Sequence, residues 1–420
     1  MPREIVITGL GVVSPLGIGR EAFWEQLQAG LSGVRPITAF DTASLEVRFG
    51  GQILDFDPKL YVRPRKSLKV MSREIQMGFA AADLALVDAG LSTGSVAPDR
   101  FGVVFGSDMI YADPHDLEGT YRRCAASGSF NFEQWGTAAM EEIYPLWLLK
   151  LLPNMTASHI AIAHDARGPN NSIVLGDVSS LLAIAEAASV IERGWADVMI
   201  TGGTGCRLDP TAIVARCEHD LSHRNDDPQR ASRPFDQDHD GMVNGEGSGA
   251  IVLESLDHAL SRGARIHARL LSVTARHEPV RGTQPLTGSG LRAAIRGSLM
   301  RAGLEPKNLG HVNAHGLSTV AMDRVEASAI AAELGNVPVT APKASFGHLG
   351  AGGGTVELVA SVLGLAEGVV PATLNYEKPD PACPVNVVHG SPLAGRPPTA
   401  MKVNLSSTGQ AAAVVVAAPE

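Results

Sequence analysis

The chain has 420 residues, 45% of them hydrophobic, and its 35 basic and 44 acidic residues give a formal net charge of −9 at pH 7. This length and apolar content suffice for a large buried core, whereas an acidic balance without a basic tract argues against nucleic acid as a partner. No apolar run approaches the roughly 20 residues that a membrane-spanning helix needs. The cysteines have neither metal-type nor disulfide-type spacing, so we expect no metal site and no disulfide framework. They are Cys124, Cys206, Cys217 and Cys383.

The first segment of the chain predicts a buried strand that starts at Ile5 and ends in a glycine-rich turn at Gly17. The N-terminal residues lack the features of a signal peptide, and we therefore expect a cytoplasmic protein. Gly9 and Gly11 follow the pattern of a dinucleotide-binding turn, but its third glycine is missing, and we expect no tightly bound cofactor. A basic cluster farther along offers a local contact for an acidic carrier protein, although a solvated face is the simpler interpretation. It comprises Arg63, Arg65, Lys66 and Lys69.

Short runs rich in valine and isoleucine alternate with alanine-rich stretches of helical length, which predicts an α/β fold with buried sheets. Residues 1–256 and 257–420 each contain a strand leading to a glycine-rich turn, so we expect two similar halves within one integrated unit. Between residues 109 and 155 the pattern becomes irregular. Aromatic residues of this segment include Trp135, Tyr144 and Trp147.

A junction from strand to helix lies near the middle of the chain. The β-rich run from Asn171 ends in Gly176, a helix is predicted to begin at Asp177, and Gly194 lies just past the helix end. A turn of this type presents its corner side chain at a helix N-terminus, where amide dipoles favour negative charge. The simplest interpretation of Asp177 is a helix N-cap, which contributes about 1 kcal/mol relative to alanine.

Two histidines of the second half lie in recognisable motifs. His315 belongs to the segment Asn313–Thr319, and His348 closes a short run that begins at Lys343. Glu357 follows nine residues beyond His348.

These segments together resemble the β-ketoacyl-acyl carrier protein synthases of the thiolase superfamily, in particular those of the synthase II type. Six motifs in the family's order extend the resemblance over nearly the whole chain; they are Ile5–Gly17, Phe101–Ser107, Ala196–Gly203, Arg233–Gly247 and the motifs of His315 and His348. The resemblance implies a five-layered αβαβα sandwich of two pseudo-repeated halves, usually as a homodimer. It also implies that residues 109–155 cap the acyl pocket and contribute to the dimer interface.

The resemblance assigns catalytic positions to His315, His348 and Lys343, and to Glu357 as the acid that orients the lysine. The family's corner residue is the nucleophilic cysteine, and here it is Asp177. A carboxylate is a poor nucleophile towards thioesters, and the mixed anhydride it would form is prone to hydrolysis, so we do not expect ordinary condensation.

The residues expected to bind the substrate also depart from the family pattern. One of the two hydroxyls that hold the phosphopantetheine arm is replaced by Leu317, while Ser318 and Thr319 remain. The phenylalanine-containing gating loop near the C-terminus is replaced by a stretch that includes Ser406, Ser407 and Thr408. We expect these hydroxyl residues to contact the arm of an acyl carrier protein or of coenzyme A. Cys206 is expected to be a small buried filler.

Three functions in fatty acid or polyketide biosynthesis remain open. The first is decarboxylation of a malonyl thioester without condensation, but an ionised Asp177 about 4 Å from the substrate carboxylate would cost roughly 4 kcal/mol at an effective dielectric of 20. The second is hydrolysis of an acyl thioester with Asp177 as general base. The third is a catalytically silent partner subunit, which resembles the chain-length factors of type II polyketide systems and forms a heterodimer with a ketosynthase.

The catalytic residues are expected to form one site. The ring nitrogens of His315 and His348 should converge on a cavity beside Asp177, with Lys343 and Glu357 paired behind them. Because a carboxylate stabilises neighbouring cations, we expect Asp177 to raise the pKa of both imidazoles.

Overall fold

The computed structural model describes residues 3–215, 220–280 and 284–419, and Cys217 lies outside them. The strands are β1 (Ile5–Ser14), β2 (Gly17–Ile18), β3 (Val34–Pro36), β4 (Phe49–Gly51), β5 (Phe101–Gly106), β6 (Asn170–Ile173), β7 (Val198–Cys206), β8 (Glu246–Ser255), β9 (Ala268–His277), β10 (His311–Asn313), β11 (Pro338–Thr340), β12 (Val369–Val370), β13 (Asn386–Val387), β14 (Leu393–Ala394), β15 (Thr399–Leu405) and β16 (Gln410–Ala417). The α-helices are α1 (Arg20–Gln28), α2 (Arg73–Asp88), α3 (Pro114–Cys124), α4 (Trp135–Glu142), α5 (Met155–His164), α6 (Ser179–Glu192), α7 (Pro210–Ala215), α8 (Leu256–Ser261), α9 (Ser289–Ala302), α10 (Val320–Leu334) and α11 (Gly353–Glu367).

Most strands join one mixed sheet in the order β13-β11-β10-β15-β16-β9-β1-β8-β7-β5-β6, with β2 beside β1. Strands from the two parts of the chain meet where β1 pairs antiparallel with β9, from Ile5 opposite Leu270 to Ile7 opposite Ala268. The pairs β3-β4 and β12-β14 form two small separate sheets.

Helices pack on both faces of the sheet and between its two arms. Helices α6 and α11 lie in the middle and contact strands of both arms, whereas α2 and α5 cover one outer face and α9, with α10 beside it, covers the other. This arrangement confirms the five-layered αβαβα sandwich. The middle helices are apolar nearly all round because neither faces solvent; α11 is buried from Gly353 to Gly364. Within the described ranges, no helix is long and apolar enough to cross a membrane.

The middle layer is packed closely enough to require glycine at the contact between α6 and α11. A Cβ atom on Gly354 of α11 would lie 2.6 Å from Ser180 Oγ of α6 and 3.0 Å from Asn404 Nδ2. This contact joins the start of α6 to the C-terminal strand β15, so the corner that carries Asp177 is held on two sides.

The segment from 109 to 155 is more regular than predicted, because it contains helices α3 and α4. Helix α3 starts with Pro114 after Asp113, whose carboxylate accepts from the amide of His115; both are common helix-start signals. Aromatic rings connect the two helices, with the Tyr121 and Trp135 centroids 5.0 Å apart. Large apolar side chains of this segment remain exposed.

Candidate active site

The corner between β6 and α6 is built differently from the predicted N-cap. Asp177 lies in a single 3-10 turn, Gly176–Val178, and α6 begins at Ser179. The Ser179 hydroxyl accepts from the amide of Leu175 at 2.8 Å and donates to the carbonyl of Gly176 at 2.7 Å. Gly176 has φ +59, a conformation that favours glycine. The interpretation of Asp177 as an N-cap is therefore wrong, because its carboxylate contacts distant side chains instead.

The Asp177 carboxylate lies at the centre of three cationic or titratable groups. Arg207 Nη2 donates to Oδ1 at 2.6 Å, His348 Nε2 lies 3.0 Å from Oδ1, and His315 Nε2 lies 3.7 Å from Oδ2. The two imidazole centroids are 5.7 Å apart and the ring planes meet at 85°. Asn404 Nδ2 donates to the carbonyl of Asp177 at 2.6 Å. The two ring nitrogens thus converge beside Asp177, as expected.

A buried network of charges stands behind the imidazoles. Lys343 pairs with Glu357, and the second oxygen of Glu357 pairs with Lys402. Lys402 Nζ also donates at 2.8 Å to the carbonyl of Ala314, the residue before His315. Burial lowers the pKa of Lys402 to about 8. Burial alone would raise the pKa of Glu357, but the two lysines lower it. The predicted pairing of Lys343 with Glu357 is present, whereas Lys402 was missed because one lysine in a strand usually faces solvent.

The loop of His315 is held through its backbone. Glu326 of α10 accepts from the amide of His315 at 2.6 Å and from that of Gly316 at 2.8 Å. Burial raises the pKa of Glu326 to about 7. Two hydrogen bonds to one buried carboxyl fix the position of the imidazole that follows β10.

Arg207 is the main site residue that the sequence did not reveal. It follows β7, its side chain is only 7% exposed, and it also lies 3.5 Å from Asp108 Oδ2. Burial alone would raise the pKa of Asp177, but His348 and Arg207 lower it well below its ordinary value. Asp177 is therefore ionised at neutral pH. The sequence feature that could have revealed Arg207 is the position of a charged residue at the C-terminal end of a buried glycine-rich strand.

The prediction that Asp177 raises the pKa of His315 and His348 is wrong. The pKa of His348 is lowered to about 3, first by burial and then by the charge of Arg207. The pKa of His315 is also lowered, first by burial and then by the charge of Lys343. These effects outweigh Asp177, so both rings are neutral at physiological pH and each carries one N–H donor.

A cavity of about 680 Å³ opens beside Asp177 and contains most of the predicted substrate-binding hydroxyls. Its lining residues include Arg207, His348, Leu317, Thr319, Ser406, Ser407 and Thr408. Ser318 is not among them, because it is buried with φ +67 and its hydroxyl accepts from the amide of Arg233 at 3.0 Å. The structure thus brings four of the five predicted residues together and places Ser318 in the supporting loop.

Cys206 precedes Arg207 in the sequence but lines a different cavity. It is partly buried and packs against the apolar core, but it also lines a second cavity of about 230 Å³, so the expectation of a small buried filler is confirmed only in part. Burial, followed by the nearby charge of Glu246, raises the pKa of the Cys206 thiol well above its ordinary value. The thiolate form that nucleophilic chemistry needs is therefore disfavoured.

Comparison with known proteins identifies the group to which the chain belongs. The family "Beta-ketoacyl synthase, N-terminal domain" matches residues 2–259, and "Beta-ketoacyl synthase, C-terminal domain" matches residues 267–377. The chain belongs to the β-ketoacyl synthase family. The proposed division at residue 256 into two halves stays a prediction.

Relatives within the β-ketoacyl synthase family cover nearly the whole chain. The 3-oxoacyl-[acyl-carrier-protein] synthase 2 of Synechocystis sp. is 35% identical, over 93% of this chain and 92% of the relative. The tetracenomycin polyketide synthase ketoacyl synthase alpha subunit of Streptomyces glaucescens is 34% identical, over 100% of this chain and 98% of the relative. The structure of the ishigamide ketosynthase/chain length factor matches with a TM-score of 0.87 and 28% identity, over 100% of both chains.

Proposed function

We propose that this chain is a non-condensing β-ketoacyl synthase homologue that serves as the partner subunit of a cysteine-bearing ketosynthase. The observation that carries the proposal is the position of the Asp177 carboxylate, which lies 3.0 Å from His348 Nε2 and 3.7 Å from His315 Nε2. A thioester oxygen stabilised by both imidazoles would have to occupy this same point. The protein's own carboxylate fills it.

The chemistry of Asp177 supports a loss of condensation. A ketosynthase needs a nucleophile that accepts the acyl group, together with free donors for the enolate oxygen. Asp177 supplies no thiolate. Burial would raise the pKa of its carboxyl, but His348 and Arg207 lower that pKa well below the ordinary value, so the carboxylate is a weak base. The low basicity also disfavours hydrolysis with Asp177 as general base.

The surface supports association with a second subunit. Strand β6 forms one edge of the main sheet, and its first two residues, Asn170 and Asn171, are exposed. In the segment from 109 to 155, Phe132 and Met140 are 74% and 86% exposed. A sheet edge and exposed large apolar side chains are both typical of interfaces. By analogy with the ishigamide ketosynthase/chain length factor, we propose a ketosynthase as partner, and an acyl carrier protein as the source of the thioester.

Reconstitution tests this proposal. The chain is co-expressed with a cysteine-bearing ketosynthase of the same genome, and the purified complex and each subunit alone are supplied with malonyl and acyl carrier proteins. We expect elongated products from the complex and none from this chain alone. Condensation by the chain alone, or failure to bind any such ketosynthase, would contradict the proposal.

Malonyl decarboxylation is a second candidate, and the position of Arg207 favours it. The guanidinium neutralises Asp177, which offsets the repulsion expected between Asp177 and a malonyl carboxylate. This candidate requires the enolate oxygen to displace the Asp177 carboxylate from the neutral imidazoles of His315 and His348, each of which carries one N–H donor.

Formation of acetyl from malonyl carrier protein, followed by mass spectrometry of the intact carrier, tests the second candidate. For a decarboxylase, Asp177→Asn should hold or increase the rate because the repulsive charge is gone, and Arg207→Met should lower it. His348→Ala serves as the inactive control. An unchanged malonyl carrier with both the wild type and Asp177→Asn would exclude this activity.

A further inference from the structure

Two cavities are lined by neighbouring residues of the chain, one by Arg207 and the other by Cys206. The cavity beside Asp177, of about 680 Å³, is lined by Arg207 itself. The cavity of about 230 Å³ is lined by Cys206 on the N-terminal side of Arg207, and by Met109 and Ile110 from the chain that follows Asp108. The two cavities have no lining residue in common.

Arg207 belongs to an ion cluster that includes Asp108, the residue before Met109 of the smaller cavity. Arg207 Nη2 donates to Asp177 Oδ1 at 2.6 Å and lies 3.5 Å from Asp108 Oδ2. The side chains of Arg207 and Asp108 are 7% and 8% exposed. A buried guanidinium between two carboxylates is held in place electrostatically, because moving it would lose its attraction to both of them.

The backbone closes on this cluster from the far side. A Cβ atom on Gly350 would lie 2.9 Å from Asp108 Oδ2 and 3.0 Å from Arg207 Nε. The amide of Arg207 donates to the carbonyl of Gly245 at 3.0 Å, which fixes the main chain beneath the guanidinium. Between Gly350 and Arg207 there is therefore no room even for an added methyl group.

We propose that Arg207 is a specificity-determining residue that separates the two cavities and prevents an acyl chain from extending out of the site beside Asp177. The proposal rests on the proposed function for the class of ligand, an acyl thioester. It adds that two features exclude the acyl group: the absence of a thiol at position 177, and the bulk of Arg207. A thiol alone would accept only the shortest acyl groups.

Restoring a thiol at position 177 distinguishes the effect of the missing thiol from the effect of the bulk of Arg207. Three variants are compared: Asp177→Cys, Asp177→Cys/Arg207→Ala and Asp177→Cys/Arg207→Met. The methionine variant removes the charge but keeps most of the bulk. Each is incubated with S-acetyl or S-octanoyl pantetheine.

The cysteine thiolate attacks the thioester carbonyl, a new carbon–sulfur bond forms, and the bond to the pantetheine sulfur breaks. The leaving thiolate takes a proton from solvent, and intact protein mass reports the acyl group.

We expect acetylation of all three variants, whereas octanoylation of the alanine variant should be at least about tenfold faster than that of the other two. Alkylation by iodoacetamide verifies that the thiol is accessible in each variant. Equal octanoylation of Asp177→Cys and its alanine double variant would overturn the proposal. Equal octanoylation of the methionine and alanine variants would show that the charge of Arg207, and not its bulk, is the barrier, and would also overturn it.

A crystal structure of Asp177→Asn/Arg207→Ala supplies a second test that does not depend on acylation. This variant removes one anion together with the cation, which limits the damage to folding. The proposal predicts that the two cavities become one continuous space, and separate cavities would contradict it. Condensation by the wild-type chain would refute the proposed function but would not alter this structural result.

Discussion

Asp108, Arg207 and Asp177 form a buried line of charges in which one cation serves two carboxylates. At the residue scale, Arg207 accounts for the ionised state of Asp177 and contributes to the neutral state of His348. Its removal would therefore affect stability as well as chemistry. Arginine suits the position because its guanidinium presents several donors at once and stays charged when buried.

Arg207→Met should lower the free energy of unfolding by about 3–5 kcal/mol, because it removes the guanidinium that pairs with the carboxylate of Asp177 in a buried site. Adding Asp177→Asn should recover part of this loss. Arg123→Met is the control, because Arg123 pairs with Glu141 at the surface, where such a pair contributes about 0–1 kcal/mol. Urea unfolding monitored by circular dichroism measures all four proteins. Equal losses for Arg207→Met and Arg123→Met would contradict the assigned role.

The low pKa of His348 makes stability depend on pH in a defined direction. Its pKa is about 3 in the folded protein against 6.5 as the ordinary value, so the unfolded chain binds more protons between these limits. This contribution to stability is complete above pH 6.5 and decreases as the pH falls towards 3. We expect the free energy of unfolding to fall more steeply on acidification for the wild type than for His348→Gln. If the free energy of unfolding depended on pH in the same way in the wild type and in His348→Gln, the result would contradict the neutral, buried state of His348.

At the scale of elements, periodicity predicted the helix that follows Asp177 but not where it begins. The α-helix starts at Ser179 because the preceding residues, Gly176–Val178, form a 3-10 turn, which helical periodicity does not distinguish from an α-helix. Periodicity also contains no information about the pair between Asp177 and Arg207, 30 residues away. The motifs located His315 and His348 correctly beside Asp177. They could not reveal Lys402, since only the fold shows that this lysine of β15 points into the site and not to solvent.

The contact between α6 and α11 can be tested with a single methyl group. Gly354→Ala should lower the free energy of unfolding by about 1–3 kcal/mol, because the new Cβ would lie 2.6 Å from Ser180 Oγ. Gly136→Ala in α4 is the matched control: nothing lies within 4 Å of its Cβ position, and alanine should stabilise this helix by about 0.5–1 kcal/mol. Thermal unfolding of both variants measures the difference. A stabilising effect of Gly354→Ala would refute the close packing.

At the scale of the whole molecule, the five layers bury the apolar faces of the sheet, whereas several large apolar side chains of residues 109–155 stay exposed. The layers could be predicted because the resemblance extends over nearly the whole chain. The helices of residues 109–155 were not predicted, although Leu117, Tyr121 and Cys124 of α3 recur at helical spacing. Met140 of α4 is 86% exposed, and Met300 of α9, on an outer layer of the sandwich, is 76% exposed.

Substitution of these two methionines tests the proposed subunit interface. Met140→Lys, combined with Phe132→Lys, should weaken association with the partner ketosynthase by about tenfold or more, because charged groups would be buried at an apolar interface. Met300→Lys should leave association unchanged. Analytical ultracentrifugation measures the dissociation constant. Equal effects of the two changes would place the interface elsewhere.

The central claim is that the ionised Asp177, which is bound by Arg207 and lies beside two neutral imidazoles, cannot carry an acyl group. Intact-protein mass spectrometry after incubation with malonyl and acyl carrier proteins tests it most directly. The account predicts that the mass of the wild-type chain stays unchanged at every time point, because neither Asp177 nor the thiol of Cys206 is a competent nucleophile. An increase by the mass of the acyl group, mapped by peptide fragmentation to Asp177 or Cys206, would contradict it.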